Sequence, residues 1–246
     1  MSLITSVANE TVKDVCSLKT SKGRKELGQF VAEGFRTIQT FVQHGYKQVA
    51  TYVVTEQFEK ASSILDHWTF TEVTDVIMSK MSSATTPSGI LSVFTIPTQP
   101  APSALQPGLV LAQINDPGNM GTLIRTAAAM NVKNIVVVEG TDPWSPKVVQ
   151  STAGALSMLS IFSWSWEELL QHKGDMPLYA LTVDRGEPLT NLLPKGLIVV
   201  GSEAHGLPSE WAESCNKMVT IPMPGKTESL NAAVAGSIAL YLMFGK

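Results

Sequence analysis

The sequence IVVGSEAHGLPSEW at residues 198–211, followed by VTIPMPGKTESLN at residues 219–231, decides the fold of this chain. Each stretch begins with β-branched and apolar residues, as a buried strand does, and then turns at a glycine, Gly201 or Gly225. A parallel strand that ends in such a turn brings main-chain amides to the carboxyl edge of its sheet, where these sheets bind ligands. Because the chain has no GxGxxG or GxxxxGK[ST] motif, the two turns predict a nucleotide-like ligand that is held in an unusual way.

Strand and helix patterns alternate along the rest of the chain and are interrupted by the proline-punctuated segment PTQPAPSALQP at residues 97–107. Before this segment the sequence predicts strands at residues 29–33, 49–55, 69–73 and 90–96. After it the sequence predicts strands at residues 108–115, 134–138, 178–183, 197–201 and 218–221, and a last helix that begins at Ser229. We therefore predict an α/β protein with a small three-layer domain at residues 1–97, a linker at 98–107 and a doubly wound parallel-sheet domain at 108–246.

Composition excludes several classes of protein. The net charge of −3 and the pI of about 5.8 are unlike those of a generally basic nucleic-acid binder. Cys16 and Cys215 are too few for a disulfide framework, and the cysteines and four histidines show no metal-binding spacing. The first residues lack the features of a signal peptide, and no apolar stretch reaches the roughly 18 residues of a membrane helix. We expect a soluble, cytoplasmic protein without a bound metal.

A third motif, NDPGNMGTLIRTA at residues 115–127, precedes the two glycine turns. In this order the three resemble the signature motifs of the SpoU (TrmH-type) RNA ribose 2′-O-methyltransferases of the SPOUT superfamily, from about residue 108 to the end. The resemblance implies a deep trefoil knot that forms the cofactor pocket, S-adenosylmethionine as cofactor, and methyl transfer to a ribose 2′-hydroxyl of rRNA or tRNA. GRKELGQFVAEGFRTIQ (23–39) and TTPSGILSVF (85–94) resemble the substrate-binding domain that often precedes such enzymes.

The resemblance also implies roles for individual residues. The predicted catalytic residues are Arg125, Asn119, Glu203, Ser229 and Asn231. Arg125 would stabilise a developing alkoxide, with general-base catalysis as the rival mechanism, and Glu203 would orient its guanidinium. Cofactor contacts are predicted for Thr182, Val183, Gly201, Ile221, Met223 and Leu230. Taken alone, Arg125 reads as an arginine that snorkels from an amphipathic helix, and Asn119 and Asn231 read as ordinary helix caps.

Two further surfaces are predicted. Five basic residues of the N-terminal region would bind RNA if they converge on one face, although a solvated helix face is the alternative: Lys19, Lys22, Arg24, Lys25 and Arg36. The apolar stretch LNAAVAGSIALYLMF at residues 230–244 predicts a core helix, and the resemblance implies that it also forms a homodimer interface. Gln150 and Gly118 depart from the basic or polar residues usual in the family, which removes potential phosphate contacts and leaves the identity of the RNA open.

Two functions from different classes remain possible at this point. One is an RNA 2′-O-methyltransferase, and the other is a non-catalytic RNA-binding or ribosome-assembly protein that retains the fold. The intact set of polar motif residues favours the enzyme, because a binding module has no need to keep these side chains together. An enzyme of another nucleotide-dependent class is disfavoured by the missing phosphate-binding loops.

Overall fold

The computed structural model describes residues 3–65, 68–183, 185–189, 195–225 and 228–245. Contacts divide the chain into two compact units. The first unit contains Met1–Pro97 and Asp142–Ser157, and the second contains Thr98–Thr141 and Met158–Lys246. The segment Asp142–Ser157 therefore packs with the first unit, although the sequence-based boundaries place it within the domain at 108–246.

The described residues form ten α-helices and eleven strands. The helices are α1 Glu10–Ser17, α2 Ser21–Leu27, α3 Phe35–Gln43, α4 Phe58–Ile64, α5 Asp75–Met81, α6 Pro117–Ala129, α7 Pro146–Thr152, α8 Trp166–His172, α9 Ser209–Ser214 and α10 Ala232–Phe244. The strands are β1 Gln29–Glu33, β2 Gln48–Val54, β3 Thr71–Val73, β4 Ile90–Thr95, β5 Gly108–Ala112, β6 Asn134–Val138, β7 Ser160–Trp164, β8 Leu178–Thr182, β9 Glu187–Pro188, β10 Leu197–Val200 and β11 Lys217–Thr220. No helix in this described part of the chain is long and apolar enough to cross a membrane.

The sheet of the first unit has the strand order β1-β4-β2-β3, in which β4 is antiparallel to both neighbours and β2 is parallel to β3. Successive residues of a strand point to opposite faces, so Phe30 and Val31 of β1 enter different cores. Val31 joins an aliphatic cluster with residues of α1 and α5. Phe30 lies 5.1 Å from Phe41 and 4.9 Å from Trp144, measured between ring centroids. Trp144 comes from the distant segment Asp142–Ser157, which completes this second face.

An ion pair also ties this segment to the first unit. Arg24 of α2 donates from Nε and Nη2 to Oδ2 of Asp142, at 2.8 and 2.6 Å, and from Nη1 to the carbonyl oxygen of Leu18 at 2.7 Å. The residue is only 3% exposed. Charge-assisted hydrogen bonds of this kind compensate for the cost of burying a guanidinium. Arg24 is therefore part of the interior of this unit.

The second unit contains a seven-stranded sheet in the order β7-β6-β5-β10-β8-β11-β9, and every neighbouring pair is parallel. Every residue of β5, β6 and β10 is buried, which explains their continuous apolar sequences. The chain leaves β5 towards β6 and β7 and later returns on the other side of β5. Such a reversal of strand order creates a crevice at the carboxyl ends of the strands. The predicted α/β fold with a parallel sheet is confirmed.

Helices α6 and α10 bring two of the sequence motifs towards this edge. Pro117 occupies the first turn of α6, and Oδ1 of the capping residue Asp116 accepts from the N–H of Asn119 at 2.7 Å. The last helix was predicted to begin at Ser229, but α10 begins at Ala232. The reason is that Asn231 is its N-cap, with Oδ1 accepting from the N–H groups of Ala233 and Val234 at 2.9 and 3.2 Å.

Candidate active site

A cleft of about 290 Å³ lies at the carboxyl edge of the parallel sheet. Its walls come from the segments that follow β8, β10 and β11 and from the start of α10. All six residues predicted to contact the cofactor line it: Thr182, Val183, Gly201, Ile221, Met223 and Leu230. Glu203 and Ser229 line the same cleft. Its size is close to the lower end of the roughly 300–1,000 Å³ typical of small-molecule sites.

The loop after β10 is closed on itself. The N–H of Ser202 donates to the carbonyl of Gly206, and the N–H of Gly206 donates to the carbonyl of Ser202, both at 3.0 Å. Gly206 has a φ of 67°, which favours glycine. A Cβ atom on Gly201 would lie 2.4 Å from the carbonyl carbon of Gly206. The first glycine turn therefore depends on the absence of a side chain at Gly201, and the closed loop presents Glu203.

The cleft combines apolar walls with available main-chain groups. Leu181, Val200 and Ile221 contribute aliphatic surface. Met223 and Leu230 take part in no hydrogen bond within the described residues, so their peptide groups can bind a ligand. The hydroxyl of Thr220 donates to the carbonyl of Val183 at 2.9 Å and joins the ends of β11 and β8. This arrangement fits a flat, partly apolar group such as a nucleoside base. Lys226 and Thr227 of the second glycine turn lie outside the described residues.

Three residues from the three motifs form a chain of hydrogen bonds beside the cleft, which we call the relay: Asn231, Asn119 and Glu203. Nδ2 of Asn231 donates to Oδ1 of Asn119 at 3.1 Å, and Nδ2 of Asn119 donates to Oε1 of Glu203 at 2.9 Å. Because Oδ1 of Asn231 caps α10, its amide has a fixed orientation, and this sets the direction of both bonds. The N–H of Asp116 also faces Oε1 of Glu203, at 3.4 Å.

Arg125 lies on the exposed surface of α6. Within the described residues its guanidinium has no hydrogen bond or ion pair. The expected contact between Glu203 and Arg125 is absent from the described residues, in which Oε1 of Glu203 accepts from Nδ2 of Asn119. Asn119 and Arg125 are six residues apart on α6, which separates them by about 9 Å along the helix axis and roughly 120° around it.

The five basic residues predicted to bind RNA do not share one environment. Arg24 is buried with Asp142, so we correct its assignment as an RNA contact. The ammonium of Lys19 donates to the carbonyls of Lys80 and Ser82 at the end of α5. Lys19 therefore caps the C-terminus of this helix. The remaining three are exposed: Lys22, Lys25 and Arg36. Lys22 forms an i,i+4 pair with Glu26, with a separation of 3.8 Å.

The two departures from the family pattern lie in different units. Gly118 is in the first turn of α6, and Gln150 is exposed on α7 in the first unit. The described residues contain no group of three or more His, Cys, Asp or Glu side chains that could hold a metal ion.

Comparisons with known proteins agree with this geometry. Residues 107–241 match the SpoU rRNA Methylase family, and residues 9–92 match the MRM3-like substrate binding domain. An uncharacterized tRNA/rRNA methyltransferase of Synechocystis is 32% identical over 97% of this chain and 92% of its own length. The 23S rRNA (guanosine(2553)-2′-O)-methyltransferase RlmP of Bacillus subtilis is 27% identical over the full length of both chains.

Solved structures give the same result. The AdoMet-bound rRNA methyltransferase of Sinorhizobium meliloti has a TM-score of 0.85 and 26% identity, covering 98% of this chain and 96% of that one. A putative RNA methyltransferase of the TrmH family from Porphyromonas gingivalis has a TM-score of 0.85 and 27% identity, with coverage of 98% of this chain and 100% of that one. With a family match over more than half of its residues, the chain belongs to the SpoU rRNA methylase family.

Proposed function

We propose that this protein transfers a methyl group from S-adenosylmethionine to a ribose 2′-hydroxyl of ribosomal RNA. The observation that carries the proposal is the relay, which joins one residue from each of the three motifs at the cleft. A non-catalytic RNA-binding protein would not need two hydrogen-bonded asparagines and a carboxylate beside a nucleoside-sized cleft. Ribosomal RNA is favoured over tRNA because the Bacillus subtilis relative, which aligns over its full length, is named for a 23S rRNA guanosine.

The residues of the cleft fit S-adenosylmethionine. When bound, this cofactor supplies an electrophilic methyl group on a sulfonium. We assign the adenosine to the apolar walls and to the peptide groups of Met223 and Leu230, which make no hydrogen bond to other described residues, with Gly201 allowing the close approach of the β10 loop. Thr182, Val183 and Ile221 complete the floor. The trefoil knot and the cytoplasmic location expected from the sequence remain predictions.

Arg125 is assigned to the ribose oxygen. An arginine guanidinium is a permanent cation with five N–H donors, which makes it a poor base. Because the guanidinium has no partner in the described part of the chain, it can stabilise the negative charge that develops on O2′ while the proton leaves to water or a phosphate. The relay holds Glu203 and Asn119 beside the cleft, and Ser229 adds a hydroxyl at its rim. General-base catalysis by Arg125 is the rival mechanism.

RNA binding is assigned to the exposed cations Lys22, Lys25 and Arg36 of the first unit, which matches a substrate-binding domain.

We also propose a homodimer through residues 230–244. Val234 and Tyr241 on α10 are 47% and 62% exposed, and a partner would cover them. Light scattering of the full chain at micromolar concentration tests this assembly, and a monomer would contradict it.

Arg125→Ala tests the enzymatic assignment, with tritiated S-adenosylmethionine as methyl donor and unmodified rRNA as acceptor. Methyl transfer should fall by on the order of a hundredfold, as for the loss of one oxyanion donor, while cofactor affinity measured by calorimetry stays within about threefold. Arg125→Lys should not restore the rate, because an ammonium lacks the planar fork. Lys133→Ala, which removes an exposed cation between α6 and β6, is the matched control. Full turnover by Arg125→Ala would refute the assignment, and cofactor binding without RNA labelling by the wild type would favour the non-catalytic function.

A further inference from the structure

Helices α6 and α10 approach each other closely at one glycine. A Cβ atom on Gly236 of α10 would lie 2.4 Å from Cδ2 of Leu123 on α6 and 3.0 Å from Cγ2 of Val200 on β10. Leu123 is 0% exposed and Val200 is 2% exposed, so both side chains are enclosed in the core. Reaching an ordinary contact of 3.4 Å would require a movement of about 1 Å at this point.

A hydroxyl pair joins the same two helices at the next residue. Oγ1 of Thr126 and Oγ of Ser237 are 2.9 Å apart. Oγ1 of Thr126 also donates to the carbonyl of Thr122 at 3.0 Å. Because a hydroxyl has one hydrogen, Ser237 must donate to Thr126. This bond fixes how far α10 is advanced along α6.

These contacts lie on the helix face that carries the relay. Asn119, Leu123 and Thr126 are spaced at i, i+4 and i+7 and share one face of α6. On α10, Gly236 follows the capping residue Asn231 by five positions, about 7.5 Å along the axis. The hydrogen bond between Asn231 and Asn119 is 3.1 Å long, so a displacement of about 1 Å between the helices would break it.

We infer that Gly236 and Ser237 are positioning residues for methyl transfer. Gly236 sets the distance between α6 and α10, Ser237 sets their register, and together they hold Asn231 where its amide reaches Asn119 and, through Asn119, Glu203. Neither residue touches the reacting atoms. The inference rests on the proposed function of the cleft, and it goes beyond the three motifs because Gly236 and Ser237 follow the last of them.

The test is a double-mutant comparison of kcat at saturating rRNA and S-adenosylmethionine. Gly236→Ala should lower kcat by on the order of a hundredfold, the effect of about 1 Å of misplacement in an active site. If Gly236 acts through the relay, then Gly236→Ala added to Asn119→Ala should lower kcat no further than Asn119→Ala alone. Losses that multiply would overturn the inference, since they indicate a general packing role. Leu169→Ala is the control, because Leu169 is a buried leucine of α8 in a separate core cluster and does not line the cleft. Its effect on kcat should be small, and it should be the same with and without Asn119→Ala.

Ser237→Ala keeps the inference testable if Gly236→Ala does not fold. It removes one hydrogen bond and no volume from the contact, so we expect a smaller loss of kcat, about threefold to tenfold, with the same lack of additivity. The side-chain amide signals of Asn119 and Asn231 in ¹⁵N-asparagine-labelled protein report the relay without any reaction. These signals should shift in both variants. If the wild type methylates no RNA, the proposed function fails, whereas unchanged amide signals in a folded Gly236→Ala protein would refute the positioning role itself.

Discussion

The buried pair between Arg24 and Asp142 yields a prediction about stability, whereas the sequence suggested that Arg24 binds RNA. A basic helix residue predicted to contact RNA is instead 3% exposed and bonded to a carboxylate 118 positions later. We predict that Asp142→Ala destabilises the protein more than Arg24→Ala does. The side chain of Asp142 is 28% exposed and can be hydrated when its partner is lost, whereas that of Arg24 is 4% exposed and cannot.

The magnitudes follow from these exposures. Asp142→Ala leaves a buried, unpaired guanidinium, for which about 3–5 kcal/mol of unfolding free energy is typical. It also removes the acceptor Oδ1 that binds the N–H of Trp144 at 2.8 Å. Arg24→Ala removes charge-assisted hydrogen bonds but leaves a carboxylate near water, so about 2–3 kcal/mol is expected. The double variant should lose less than the sum, because neither charge then remains without a partner.

Urea unfolding of the full chain, followed by circular dichroism, measures these differences. With a slope of about 2 kcal/mol per molar urea, Asp142→Ala should lower the midpoint by roughly 1.5–2.5 M. The neighbouring exposed residue gives the matched control, since Lys25→Ala should change the unfolding free energy by less than about 0.5 kcal/mol. If Asp142→Ala and Lys25→Ala unfold at the same urea concentration, the pair does not stabilise the first unit and our reasoning is wrong.

Two further predictions concern the second unit. Burial raises the pKa of the Cys215 thiol from 9.0 to about 12, against a smaller opposing effect of Lys173, so iodoacetamide at pH 8.5 should alkylate Cys215 far more slowly in the folded protein than in urea. The raised pKa of Cys215 stabilises the folded state below pH 9, and this contribution is lost as the pH rises towards 12. Equal alkylation rates in the folded and the urea-unfolded protein would contradict the burial of Cys215. Asn119→Asp places a second carboxylate 2.9 Å from Oε1 of Glu203 and removes the donor of the relay, so kcat should fall by on the order of a hundredfold, as for other single active-site groups. An unchanged kcat for this variant would show that the relay has no part in the reaction.

Strands and helices with strong local patterns could be predicted closely. Strands 29–33 and 134–138 have the predicted bounds, because short runs of apolar residues between polar or glycine boundaries mark a buried strand well. Helix α1, strand β7 and helix α8 were not predicted. The sequence SIFSWSWEELLQH runs from β7 into α8 without a glycine or proline, so local signals do not separate the two elements. The boundary between β7 and α8 is marked by the capping box of Ser165 and Glu168.

The grouping of Asp142–Ser157 with the first unit could not be predicted from local sequence. Trp144 and Asp142 lie within a stretch that reads as an ordinary crossover between two strands. Their partners Phe30 and Arg24 are more than 100 positions earlier, and no periodicity connects residues at that separation. Removing residues 142–157 would therefore expose an aromatic face of the first unit and leave Arg24 without its carboxylate.

At the cleft, one residue of each motif joins a chain of hydrogen bonds, and the contacts among the three depend on helix geometry. The capping role of Asn231 uses its side-chain oxygen, so only its amide nitrogen is left for Asn119. Asn119 in turn has only its own amide nitrogen left for a further acceptor, and Glu203 is that acceptor. Two helix starts and one closed loop thus determine the partner of the carboxylate. The guanidinium of Arg125 has no partner among the described residues, so under the proposed function its donors are available for the negative charge that develops on the substrate.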